Sequence, residues 1–110
     1  MHKEMITANR NNKVGNILKL FSKHSISQIP VIEKNQIIGL LTESSLLDNM
    51  EKYNENSLVG ELMEESPPII SKNTKVTAIT SLLKFYPILI IQDSGKPVGV
   101  ITKADIIKKL

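Results

Sequence analysis

Thr102 and Asp105 stand three residues apart where an apolar run gives way to a helical one, in Gly99-Val100-Ile101-Thr102-Lys103-Ala104-Asp105. A threonine at such a junction offers a hydroxyl to a phosphate, and the free amides of a helix start favour an anion. A carboxylate in the first helical turn can accept from two adjacent ribose hydroxyls. Lys103 adds a cation that attracts phosphate, and Gly99 permits close backbone approach. The same spacing also reads as a capping box, in which threonine and acid only finish the helix N-terminus. The local motif leaves both readings open.

The motif occurs twice. Gly39-Leu40-Leu41-Thr42-Glu43-Ser44-Ser45 matches it, with Ser45 where Asp105 stands and Glu43 where Lys103 stands. Serine makes an uncharged contact, and Glu43 would repel a phosphate, so copy two is the expected site if only one is used. The duplication runs through the chain. Asn11, Lys13, Val14 and Ile17 align without a gap on Asn73, Lys75, Val76 and Ile79. Gly39 then aligns on Gly99 and Leu46-Leu47 on Ile106-Ile107, with the second copy two residues shorter in its middle.

Each copy has the same order of elements. An extended segment (Met5 to Ala8; Pro67 to Ile70) leads into a turn (9–12; 71–74). The prolines make Pro67 to Ile70 an edge strand or irregular at its start. A helix follows, with Val14, Ile17, Leu18 and Phe21, or Val76, Ile79, Leu82 and Leu83, at helical spacing. Two strands come next, Gln28 to Ile32 with Gln36 to Leu41, and Ile88 to Gln92 with Pro97 to Ile101. The polar residues between them predict hairpins. A last helix starts near Thr42 or Thr102 and carries Leu46, Leu47 and Met50, or Ile106, Ile107 and Leu110.

The repeats span 1–50 and 59–110, with 51–58 as the linker and Val59 to Met63 as a short helical entry to copy two. No such lead-in precedes Met1, which favours excision from a longer protein over a copy that starts late. Ile29-Pro30-Val31-Ile32 and Ile88-Leu89-Ile90-Ile91 are apolar on both faces, as in a doubly covered sheet. A unit of about 50 residues buries too little surface alone. The expected fold class is therefore α+β: two pseudo-symmetric β-α-β-β-α repeats packed sheet to sheet, with a cleft between them.

Composition narrows the function. The 110 residues are 41% hydrophobic and 23% charged, a globular balance, and aromatics are only 4%, so the core is aliphatic. There is no cysteine, which excludes disulfides, thiolate metal sites and cysteine nucleophiles. No apolar run reaches the length of a membrane span and the N-terminus has no signal-peptide stretch, so a soluble, cytoplasmic protein is expected. The net charge of +3 is spread along the chain, with Lys108 and Lys109 together. Without interleaved aromatics this argues for a solvated surface rather than nucleic-acid binding. His2 and His24 lack ligand-spaced partners, Ser25 and Ser27 lack a base, and Glu64 and Glu65 read as a solvated helix end. No P-loop, dinucleotide fingerprint or zinc spacing appears, so neither a metal nor an enzyme is expected.

Glu61-Leu62-Met63 before the second repeat, Ile29-Pro30-Val31-Ile32 and the two Gly-x-x-Thr segments together resemble a tandem pair of cystathionine-β-synthase (CBS) domains, a Bateman module. The resemblance covers essentially the whole chain. It implies a homodimeric regulatory module, with a fused or partner effector, that needs no cofactor. Its regulatory ligand would be an adenosyl nucleotide such as AMP, ADP, ATP or S-adenosylmethionine. It maps phosphate and ribose contacts onto Thr102 and Asp105. It sets the base against Ile69, Ile70 and Leu89, with Tyr86 placed to stack on the base or to plug the pocket. A second, weaker site would use Thr42 and Ser45 with Thr7, Ala8 and Pro30. The alternatives are a ligand-free dimerisation scaffold and a module that binds DNA or RNA.

Overall fold

The computed structural model describes residues 5–108; His2, Lys109 and Leu110 lie outside the described residues. The chain divides into two compact units, Ile6–Ser66 and one that holds Pro67 onward.

In the first unit, asparagine side chains build the opening turn. The Asn9 N–H donates to Asn12 Oδ1 at 2.7 Å and the Asn11 N–H to Asn9 Oδ1 at 2.8 Å. Helix α1 (Val14–His24) follows and stops where Ser25 turns left-handed, at φ 51° and ψ 47°. Its inward face is Val14, Ile17 and Phe21. Leu18, expected on that face, is exposed, because the 3.6-residue period sets it beside the stripe. Strands β1 (Gln28–Glu33) and β2 (Gln36–Thr42) pair antiparallel. Lys34 and Asn35 between them both have positive φ, the tight turn that matches strand twist. Helix α2 (Glu43–Asp48) closes the repeat. Of its expected apolar residues only Leu46 is buried; Leu47 and Met50 face solvent.

The segment Met5 to Ala8, expected as a strand, is one bridge in the structure. The Ala8 N–H donates to the Pro30 carbonyl at 2.9 Å and the Ile32 N–H to the Ala8 carbonyl at 2.8 Å. The next rung, toward Ile6, would need an N–H at position 30, and proline has none. Copy two has Ile90 at the equivalent place. Its N–H donates to the Pro68 carbonyl at 2.9 Å, and a true strand, β3 (Ile69–Ser71), forms beside it.

The stretch after α2 wraps the first unit. The Val14 N–H donates to the Ser57 carbonyl and the Gly15 N–H to the Glu55 carbonyl, each at 2.8 Å. A Cβ on Gly15 would lie 2.9 Å from the Glu55 Cβ, so a larger residue would push this segment off. Helix α3 (Val59–Leu62), which the repeat assigns to copy two, sets Val59 and Leu62 into the core of Val14, Ile17, Phe21 and Ile29. Glu64, expected at a solvated helix end, is extended instead and exchanges two backbone hydrogen bonds with Leu40, at 2.7 and 3.0 Å. Gly39 permits this approach: a Cβ there would meet Met63 Sδ at 2.7 Å and the Glu64 carbonyl at 2.8 Å.

The second unit repeats the plan. After β3 come α4 (Val76–Leu83), β4 (Ile88–Asp93), β5 (Lys96–Thr102) and α5 (Lys103–Ile107). The sheet order is β3-β4-β5, with β3 parallel and β5 antiparallel to β4. Ser94 and Gly95 both take positive φ in the hairpin turn, as Lys34 and Asn35 do. Ile79, Leu83 and Leu89 form the core, flanked by Ile70, Leu82, Ile101 and Ile106. Val76, expected on the inward face of α4, is 60% exposed. Its counterpart Val14 is buried under the 55–58 stretch, and no such stretch lies over Val76 among the described residues. The chain thus consists of two β-α-β-β-α repeats, the first with its opening strand reduced to a bridge.

Candidate functional site

Strand β5 delivers Thr102 to the N-cap of α5, and Asp105 sits one turn in. Both are half-buried, and Lys103 between them is exposed. Asp105 Oδ2 accepts the Thr102 backbone N–H at 2.9 Å and the Thr102 hydroxyl at 3.3 Å. The first bond is a good cap. The second is long for an O–H···O contact, whose usual length is near 2.8 Å. Asp105 Oδ1 takes part in neither. The Thr102 side chain also faces the Asp105 backbone N–H, so the capping box is complete and the capping reading holds in the free chain, with Asp105 Oδ1 left outside it.

The copy-one turn is built differently. The Thr42 hydroxyl accepts the Ser45 N–H at 3.1 Å, and the Ser45 hydroxyl donates to the Thr42 carbonyl at 3.1 Å. These residues are only 8% and 7% exposed, and the Glu43 N–H is held by the Ser27 carbonyl at 3.1 Å. The turn is closed on itself.

Strand register sorts the apolar residues expected around the base. Paired residues share a face of the sheet, and successive residues alternate. Thr102 pairs with Ile88, and Ile90 pairs with both Val100 and Ile69, so these residues share one face. Leu89 pairs with Ile101 and Ile70 with Ile91, which puts Leu89 and Ile70 on the other face, against the helices. Leu89 is fully buried in that core. Ala8 in copy one lies likewise on the core face, bridged to Val31, whereas Pro30 pairs with Leu40 on the face of Thr42. Thr7 is half-buried beside Ala8.

Of the expected base contacts, Ile69 is thus the one on the Thr102 face, two strands away, roughly 10 Å laterally. Ile88 and Ile90 share that face but are buried in the free chain. Counting alternate residues from Thr102 across the hairpin would have found them. Tyr86 is exposed in the turn before β4, its N–H bonded to the Leu82 carbonyl at 3.0 Å. Phe85 beside it is still more exposed.

The first unit also holds a groove of about 380 Å³ between α1, α2 and residues 49–55. Its walls are apolar, and Glu43 and Glu55 are the charged residues that line it. The motif search did not point to it. Its signal was the exposed apolar run of Leu47 and Met50 at the end of α2.

The sequence profile of the CBS domain matches residues 1–52 and again 59–110. The chain belongs to the CBS-domain family. It is a tandem CBS pair, or Bateman module, and CBS domains are regulatory, ligand-binding modules rather than catalysts. An uncharacterized protein of Methanocaldococcus jannaschii is 28% identical over 109 residues, which is 96% of this chain and 36% of that protein. The chain thus spans little more than a third of that relative's length. Two solved CBS structures share the fold. One is the CBS domain of a bacterial CNNM/CorC family Mg2+ transporter in complex with ATP, with TM-score 0.83, 21% identity, and 96% of this chain and 78% of that chain covered. The other is CBSX2 in complex with AMP, with TM-score 0.80, 24% identity, and 96% and 86% covered. Among the described residues, no helix of this CBS pair is long and apolar enough to cross a membrane, and no group of histidine and acidic side chains is placed to hold a metal ion.

Proposed function

We propose that this CBS pair senses an adenosyl nucleotide (AMP, ADP, ATP or S-adenosylmethionine) through copy two and passes its state to a fused or partner effector. The observation that carries this reading is the Asp105 oxygen that the Thr102–Asp105 cap leaves unused. The uncommitted Asp105 oxygen accepts from ribose hydroxyls. The Thr102 hydroxyl leaves its 3.3 Å contact and donates to a phosphate oxygen, and Lys103 adds charge. Ile69 and Tyr86 supply apolar contact for the base. The complexes of related CBS structures with ATP and AMP support this ligand class. The module works as a homodimer in the cytoplasm, and binding biases the packing of its parts.

Calorimetric titration with AMP, ATP and S-adenosylmethionine tests it. At least one saturates, and Asp105→Ala weakens that event about tenfold or more, as expected for losing a charged hydrogen bond of roughly 1.5–3 kcal/mol. An unchanged affinity removes Asp105 from the site. No binding of any of the three leaves the second reading, a dimerisation scaffold without a ligand, which the capping role of Asp105 favours.

A further inference from the structure

We draw no further inference here: the strongest candidate, the apolar groove of copy one between α1, α2 and residues 49–55, lined by the exposed Leu18, Leu47 and Met50, carries none, because nothing in the structure shows what covers it.

Discussion

The two repeats share a backbone plan and differ in what their equivalent turns have left to give. In copy one, Thr42 and Ser45 spend their hydroxyls on each other's main chain and are nearly sealed from solvent. In copy two, a carboxylate replaces the serine hydroxyl and reverses the direction of donation. Asp105 accepts from Thr102 and keeps an oxygen in reserve. The two caps thus differ in the hydrogen-bonding capacity they leave over, which is what the proposed site in copy two depends on. A similar single change acts at the opening strand, where Pro30 or Ile90 decides whether a ladder stops or continues.

The largest test of this comparison is Ile90→Pro. It removes the bond to Pro68 and places a proline in a central, buried strand, which should cost roughly 3 kcal/mol or more and unfold copy two in a denaturant titration. A loss under about 1 kcal/mol would show that the ladder difference carries no weight. Next comes the Val14 and Val76 pair. Val14→Ala should cost about 1–3 kcal/mol, because the wrapped stretch buries it, while Val76→Ala should stay within about 0.5 kcal/mol. Equal losses would contradict the asymmetric wrapping. Ser45→Asp sharpens the comparison of the turns. If copy one is closed, the added carboxylate lowers stability by roughly 1–3 kcal/mol and calorimetry finds no new nucleotide site. A gained site would mean that the acid alone decides binding. The smallest effect is Pro30→Ile, which restores a donor toward Ile6. Stability should change by about 1 kcal/mol or less, with protection of the newly introduced position-30 amide, compared with a freely exchanging one, as the readout.

The plan of the fold was legible because it is written locally and twice. Short polar stretches between apolar runs, 33–35 and 93–96, marked both hairpins, and Thr42 and Thr102 marked both helix starts. Thr102 and Asp105 stood out in the sequence by residue type and spacing, and the structure brings them together at the start of α5. The sheet face of the expected base contacts was not legible: the resemblance named Ile70, Leu89 and Ala8, which the strand pairing sets on the core face, because a one-residue step along a strand reverses the face. The wrapping of residues 55–64 was equally hidden. Residues 55–57 are polar and hold α1 through main-chain carbonyls, which leaves little trace in side-chain type, and the apolar Val59 and Leu62 did not say which repeat they pack into. The groove of copy one followed from that wrapping.

The most direct test follows amide signals of the full chain by NMR during titration with ATP or AMP. The Thr102, Lys103 and Asp105 amides should shift with saturation, and those of Thr42, Glu43 and Ser45 should stay in place. Saturable shifts at Thr42 to Ser45 with none at Thr102 to Asp105 would contradict the account.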